Sequence, residues 1–209
     1  LVERGRTGEG NIVDAAIVDG TNSLMSFVHG MAGLGQWRTK REANLLDGAS
    51  PFYRCYMTSD GKFMAIGCIE PQFFAAMMER LPIDREAYGA QHDHAAFAKQ
   101  HEMLEDVFAT KTRDAWEAIF AGTDACVTPV LDYVEAASHP VNADRHAVVT
   151  DGRWLHPQVA PRLATQPLPT HFDIATKGAD YAAILAEAGL STDEISQLIA
   201  AGAVVTNKD

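Results

Sequence analysis

Glu70 is the acidic residue of this 209-residue chain whose surroundings are hardest to reconcile with an ordinary surface position. The apolar residues Cys68 and Ile69 precede it, and Pro71 follows it at a place where a helix is predicted to begin. Glu70 would then be the N-cap residue, although Asp, Ser, Thr or Asn caps a helix better. A carboxylate at the positive end of a helix dipole suits proton transfer or the orientation of a base. The alternative is a solvated carboxylate at a helix start, and the residues alone leave both interpretations open.

Other residues that often perform chemistry lack the spacing that their chemistry requires. His92, His94 and His101 carry metal-donor atoms, but no cysteine or carboxylate stands at ligand spacing, so no metal site is expected. Cys126 has apolar neighbours and no adjacent cation that would activate a thiol, so it is predicted to be a buried structural cysteine. The motifs of phosphate-binding loops and of nucleophilic serines are missing from the sequence.

Composition and charge exclude several classes of protein. The sequence has 17 Lys and Arg residues against 28 Asp and Glu residues, and its net charge of −11 excludes a broad nucleic-acid-binding face. No apolar run reaches the roughly 18 residues that span a bilayer, and early charged residues interrupt any signal peptide, so neither a membrane span nor secretion is expected. The 3 cysteines form no C-x-x-C pair, which favours the reducing cytoplasm.

The elements around Glu70 can be predicted from periodicity and turn residues. Two strands, over 53–57 and 62–68, are separated by Asp60-Gly61, which is typical of a β-hairpin turn. A helix then begins at Pro71 and carries an apolar stripe of Phe74, Met77, Met78 and Leu81. Glu70 is therefore expected between the end of a strand and the start of a helix.

The rest of the chain reads as mostly helical with a second hairpin. We predict, in chain order, a helix end at Gly5, a helix over 12–31, a connecting loop over 33–51, helices capped by Asp93 and Thr112, a short buried strand over 126–130, a helical turn over 134–137 followed by an exposed stretch, a hairpin over 147–155 around Asp151-Gly152, an extended proline-rich segment over 157–169, and two short helices, the last with the capping box Ser191-x-x-Glu194.

Several short segments along most of the chain form a distinctive series. They include Gly-Cys-Ile-Glu-Pro-Gln-Phe at 67–73 and Asp-Ala-Cys-Val-Thr-Pro-Val at 124–130. The others are 8–19, 43–53, Asp60-Gly61, Pro161-Arg162 and 200–205. In their common order along the chain, these segments resemble CoA-transferase family III, and most closely its α-methylacyl-CoA racemase branch.

The resemblance implies removal and return of the proton beside an acyl-CoA thioester, with no metal or organic cofactor because coenzyme A is carried as part of the substrate. The two proton carriers of the racemase branch, a His and an Asp, are expected upstream of this chain, which alone should be inactive. Glu70 would support the His. The resemblance places Tyr53, Ile69, Leu46, Asp47 and Gly48 at the substrate, while Arg38, Lys40 and Arg41 would either meet coenzyme A phosphate or be solvated in their loop.

The implied fold is α/β, the C-terminal part of the family's fold, with a small α+β domain of antiparallel sheet plus helices. Residues 1–45 would belong to a large domain, 46–156 would form the small domain, and 157–209 would return to the large domain through a Pro-rich linker and helices. The expected partners are an acyl-CoA and a second copy in an interlocked homodimer, without nucleic acid or membrane.

Two other functions stay open. One is transfer of coenzyme A between carboxylic acids, the reaction of the family's transferases, although 46–51 lacks their run of glycines. The other is a non-catalytic dimerisation or scaffold module, because long extended segments also serve interlocked assembly.

Overall fold

The computed structural model describes residues 1–150, 152–170, 172 and 175–204. The chain divides into two compact units, Leu1–Val130 and a second that begins at Leu131. The predicted domain limits at 45 and 156 concern the whole protein and stay a prediction.

The first unit contains the predicted hairpin and the helix that follows Glu70. Its elements are α1 (Val2–Thr7), α2 (Ile17–Leu24), α3 (Ser26–Gly33), β1 (Tyr53–Met57), β2 (Phe63–Gly67), α4 (Pro71–Met78), α5 (Arg85–Tyr88), α6 (Phe97–Phe108), α7 (Arg113–Phe120) and β3 (Val127–Val130).

The three strands form one antiparallel sheet in the order β1-β2-β3. The Asp-Gly turn joins β1 to β2 as predicted, since Gly61 adopts the left-handed φ of 75° that glycine tolerates best. Tyr53 lies opposite Gly67 in the first pair, and Ile66 lies opposite Val127 in the second. The central strand β2 is therefore paired on both sides along the residues that precede Glu70.

One face of this sheet packs against α4, α6 and α7 to form the core of the unit. Because strand side chains alternate, Tyr56, Met64 and Ile66 all turn inward and are buried. The ring of Tyr56 stacks on Phe108 of α6 with centroids 5.5 Å apart. Trp116 of α7 is wholly buried, and its indole N–H donates to the Phe108 carbonyl at 2.9 Å. Burial of each large side chain contributes roughly 1.5–3 kcal/mol, so this face anchors the unit.

The N-terminal helices differ from the prediction. Instead of one helix over 12–31, α2 ends at Leu24 and α3 begins at Ser26. The Ser26 hydroxyl donates to the Ser23 carbonyl, the kind of local side-chain bond that competes with a continuous helix. The first helix also runs on to Thr7 rather than stopping at Gly5. No residue of α1, α2 or α3 is buried.

Two further predictions about helices in the first unit were incomplete. Asp93 does not cap α6, because its carboxylate accepts from the Ala95 N–H at 3.1 Å in a turn that precedes the helix. The N-cap of α6 is Ala96, which offers no side-chain bond. The sequence analysis also missed the single-turn helix α5, which Asp84 caps by accepting from the Glu86 N–H at 3.0 Å.

The second unit has short helices and one hairpin. Its elements are α8 (Tyr133–Ser138), α9 (Pro140–Asp144), β4 (Val148–Thr150), β5 (Leu155–Pro157), α10 (Tyr181–Glu187) and α11 (Thr192–Ala200). The capping box of α11 is formed as predicted, while the sequence analysis missed α9, which lies in a stretch predicted only to be exposed.

The second hairpin is also confirmed, with Val149 opposite His156. Asp151 at its predicted turn lies outside the described residues, as does the end of the 200–205 motif. Between β5 and α10 the described residues form neither helix nor strand, but the predicted extended segment is interrupted by a turn in which the Gln166 N–H donates to the Leu163 carbonyl at 3.0 Å. Within the described ranges no helix combines the length and apolarity needed to cross a bilayer.

The contribution of the N-cap of α7 to the stability of the first unit can be tested by substitution. The Thr112 hydroxyl accepts from the Ala115 N–H at 3.3 Å, so Thr112→Ala should lower the free energy of unfolding by about 1 kcal/mol in urea titration. Thr112→Ser retains a capping oxygen and should lose less than half of that amount. Equal losses in the two variants would show that the cap contributes nothing.

Candidate functional site

The backbone that leads to Glu70 is fixed on both sides. The Gly67 N–H donates to the Cys126 carbonyl at 2.9 Å, and the Cys68 N–H donates to the Phe52 carbonyl at 2.9 Å. Glu70 is the N-cap of α4, as predicted, but its exposed side chain makes no capping hydrogen bond. The backbone that carries Glu70 is thus fixed, and the oxygens of its exposed carboxylate are available to another group.

A side chain from another part of the fold fixes the same segment. The Gln91 amide donates to the carbonyls of both Cys68 and Ile69, each at 2.9 Å. Burial raises the pKa of the Cys68 thiol to about 12, so this thiol stays protonated and donates to the Ala125 carbonyl at 2.7 Å. Cys68 is therefore a structural thiol that ties the end of β2 to the segment before β3.

An open cavity of about 550 Å³ lies on the sheet face opposite the core. Alternation along the strands brings Tyr53 and Cys55 of β1, Ala65 of β2 and Thr128 of β3 to this face. A Cβ atom placed on Gly67 would lie 3.9 Å from Cε2 of Tyr53, so the tyrosine ring lies beside the strand that leads to Glu70. The volume falls within the range of small-molecule sites.

Cys126 also lines this cavity, and the prediction that it is buried is wrong. Its φ of 50° is left-handed, which is uncommon for a residue other than glycine, and β3 begins only at the next residue. Desolvation raises the pKa of the Cys126 thiol, and the negative charges of Asp124 and Glu70 raise it further. The carboxylate of Glu70 therefore acts on a group that faces the cavity.

The loop before β1 folds around Asp47. Its carboxylate accepts from the Asn44 N–H at 2.8 Å and from the Asn44 side-chain amide at 2.6 Å. Asn44 is buried and in turn bonds both the N–H and the carbonyl of Arg38, at 2.8 and 3.0 Å. Asp47 therefore organises the loop that presents its neighbours Leu46 and Gly48 to the cavity.

A second group of bonds fastens this loop to the core. His101 of α6 contacts the Ala49 carbonyl through Nε2 at 2.9 Å, and since a carbonyl only accepts, Nε2 carries the proton. The Tyr56 hydroxyl donates to the Pro51 carbonyl at 2.7 Å. Arg54 lies 3.3 Å from Nδ1 of His101. These contacts position the wall of the cavity that is formed by the loop.

The structure brings together only some of the residues predicted for the site. Leu46, Gly48 and Tyr53 line the cavity. Ile69, the residue before Glu70, is half-buried, packs against the core and does not line the cavity. The role of each at a substrate stays a prediction.

The predicted phosphate-binding residues Arg38, Lys40 and Arg41 are exposed on the loop and do not line the cavity. The described residues contain no group of three His, Cys, Asp or Glu side chains placed to hold a metal ion.

Several residues of the cavity were missed by the sequence analysis. Strand alternation from Tyr53 and across the predicted hairpin would have indicated Cys55 and Ala65. Nothing in the local sequence predicts the left-handed backbone of Cys126, which lines the cavity. Arg54 was missed because its partner His101 lies 47 residues further along the chain.

Chemically, the arrangement combines one available carboxylate with a partly apolar cavity walled by Leu46, Tyr53 and Ala65. A carboxylate in this position can orient a cationic or hydrogen-bonding partner next to a substrate, while the cavity takes an apolar group. Glu70 itself does not line the cavity; it follows Gly67, which does, by three residues, and its carboxylate makes no capping bond.

Comparison with known proteins points to one family. The sequence matches the family model described as CoA-transferase family III over residues 1–178. Alpha-methylacyl-CoA racemase of Mus musculus is 42% identical over 200 residues, which are 95% of this chain and 52% of the mouse protein. The human protein of the same name is 39% identical over 210 residues, which are 100% of this chain and 55% of the human protein.

A solved structure has the same fold. The crystal structure of a CAIB/BAIF family protein from Brucella suis superimposes with a TM-score of 0.65 at 20% identity, covering 89% of this chain and 50% of that one. This likeness confirms the predicted α/β fold. The chain spans about half the length of the curated relatives it matches.

The action of Glu70 on Cys126 can be measured directly. In a Cys55→Ser background, Glu70→Gln should lower the pKa of the Cys126 thiol, because a negative charge that disfavours the thiolate is removed. The pKa is read from the pH dependence of alkylation by neutral iodoacetamide, followed by mass spectrometry. Glu79→Gln, at the other end of α4, is the matched control and should leave the pKa unchanged. The same pKa in the Glu70→Gln variant and in the background would contradict the described geometry.

The role of Asp47 in the loop predicts a pH dependence of stability. Burial alone would raise the pKa of Asp47, but hydrogen bonds from Asn44, Ala43 and Ala49 outweigh it and hold the pKa below its ordinary value of 3.8. A depressed folded-state pKa stabilises the fold above the ordinary value, and the effect is lost as pH falls through the folded pKa.

Asp47→Asn should therefore be less stable than the parent chain by a constant free energy of unfolding above about pH 5, and the difference should shrink below about pH 4. Urea unfolding at a series of pH values measures it. A difference that does not change over this range would mean that the carboxylate titrates alike in the folded and unfolded chain.

Proposed function

The chain belongs to CoA-transferase family III, and we propose that it forms the glutamate-bearing part of an α-methylacyl-CoA racemase. Such an enzyme interconverts (R)- and (S)-2-methylacyl-CoA thioesters. The observation that carries the proposal is identity of about 40% to racemases over nearly the whole chain. The Ile-Glu-Pro segment beside the cavity supports it, because it supplies the acidic residue expected of that branch.

The reaction conserves its atoms. A base removes the proton from the carbon beside the thioester carbonyl, the electron pair shifts into an enolate, and an acid returns a proton to the opposite face. Because such a carbon acid is very weak, the enolate oxygen must be stabilised while the base is held in place. We expect the two proton carriers, a His and an Asp, in a part of the protein upstream of Leu1, so this chain alone should be inactive.

Glu70 is proposed to orient and stabilise the cationic form of that histidine. Its oxygens make no capping bond, so they can accept from an imidazole N–H. The Gly67 and Cys68 backbone bonds, together with Gln91, hold the root of the side chain in place. A carboxylate carried on such a backbone can direct the ring without itself exchanging a proton with substrate.

The cavity is proposed to receive the acyl group. Leu46, Tyr53 and Ala65 supply apolar surface there, and Asp47 holds the loop that carries Leu46. Arg38, Lys40 and Arg41 are proposed to meet the phosphates of coenzyme A, which their exposure and positive charge support.

We propose that the protein acts as an interlocked homodimer in cytoplasmic fatty-acid metabolism. The apolar side chains of α2 and α3 support a larger assembly, since Ile17 and Leu24 are each 87% exposed and Phe27 is 52% exposed. Large exposed apolar side chains, where they form one patch, are typical of an interface.

The test is exchange of the α-proton for deuterium in D2O with a 2-methylacyl-CoA, followed by NMR, using this chain and the whole protein. Exchange by the whole protein alone is expected. In the whole protein, Glu70→Gln should lower the exchange rate about tenfold or more with little effect on the thermal midpoint, because a positioned carboxylate would be lost. Glu79→Gln on the same helix should keep the parent rate.

Other outcomes would revise the proposal. Unchanged exchange in Glu70→Gln would remove Glu70 from the mechanism. Exchange by this chain alone would show that the proton carriers are not upstream. No exchange by the whole protein would favour transfer of coenzyme A between carboxylic acids, measured with a second acid as acceptor, or a non-catalytic dimerisation module if transfer also fails.

A further inference from the structure

Two arginines of the second unit share a cavity that the proposed reaction does not use. Arg145 follows α9, Arg162 follows β5 by five residues, and both line an open cavity of about 470 Å³. Ala147, Val159 and Pro161 contribute apolar walls. The cavity therefore combines two guanidinium groups with a mostly apolar surface.

The walls of this cavity are built on the hairpin. The Gln158 N–H donates to the Ala147 carbonyl at 2.9 Å, which continues the pairing of β4 with β5 beyond the last ladder pair. The Gln158 side-chain amide donates to the Pro169 carbonyl at 2.8 Å and ties the extended segment to the same place. The Arg162 guanidinium donates to the carbonyl of His146, the residue after Arg145, at 3.4 Å.

The positive charges of Arg145 and Arg162 have no carboxylate partner among the described residues. Among the residues that the structure describes, no carboxylate lines the cavity and none pairs with Arg145 or Arg162. The chain has 28 acidic residues against 17 basic ones, so a pair of arginines without an acidic partner is unusual here. Two like charges facing one cavity repel each other, and an anion bound between them would relieve that repulsion.

We propose that the Arg145–Arg162 cavity binds the phosphoryl group of a small molecule. Guanidinium groups present paired N–H donors that match phosphate oxygens, and two of them suit a group with about two negative charges. The volume exceeds what one phosphate needs, and the apolar walls can contact the rest of the ligand. The site lies in the unit that does not contain Glu70, so the inference goes beyond the proposed racemase and does not depend on it.

The phosphoryl group could come from inorganic phosphates or from the nucleotide end of a coenzyme. The experiment titrates the chain with inorganic pyrophosphate and with adenosine 3′,5′-bisphosphate by isothermal calorimetry at matched ionic strength. Arg145→Gln and Arg162→Gln should each weaken binding about tenfold, because each removes a charge-assisted pair. Tighter binding of the bisphosphate than of pyrophosphate identifies a nucleotide as the source, and equal binding identifies the free anion.

Arg153→Gln is the matched control, since Arg153 lies in the same hairpin, stacks over Trp154 at 4.8 Å and does not line the cavity. It should change the dissociation constant less than twofold. Arg162→Lys keeps the charge without the paired donors and should fall between parent and Arg162→Gln. The proposal is overturned if neither probe binds, or if all three Gln variants, shown to be folded by circular dichroism, weaken binding equally, as a general effect of net charge would.

Discussion

The hydrogen bonds of the Gly67 and Cys68 amides hold both outer segments of the sheet to its central strand at the level of Glu70. Gly67 bonds the residue before β3, and Cys68 bonds the residue before β1. Because β2 is the central strand, these two backbone hydrogen bonds set the positions of Tyr53, Cys126 and the backbone of Glu70. The core on the other face of the sheet then matters to the site indirectly, since it holds the three strands in register.

Local signals along the sequence were sufficient for the elements that surround Glu70. The Asp-Gly turn predicted the first hairpin, and Pro71 predicted the start of α4, because both act through fixed backbone geometry. The capping box of α11 was predictable for the same reason. The role of Asp93 was not predictable, since an aspartate before a helix can equally accept from an N–H within a preceding turn. Here it accepts from the Ala95 N–H. The break between α2 and α3 likewise arises from short polar side chains that compete with the helix.

The candidate site was predictable only in part because much of it depends on contacts between distant residues. Tyr53, Leu46 and Gly48 line one cavity, and their role at a substrate stays a prediction. The contacts of His101 with Arg54 and Tyr56 join α6 to β1 across more than forty residues, and no local sequence pattern indicates them. Cys126 faces the cavity because of its left-handed backbone, which a pattern of apolar neighbours cannot reveal.

The same geometry explains why a glutamate at this N-cap differs from an ordinary capping residue. A shorter side chain would turn back to the first amides of α4, as Thr112 does at α7. Glu70 makes no such bond, and Gln91 and the strand amides fix its backbone instead. The first turn of the helix favours a negative charge there, while the carboxylate makes no hydrogen bond to the amides of that turn. A carboxylate held in this way is suited to hold a neighbouring cation in a fixed orientation, which is the part of proton transfer that position alone can supply.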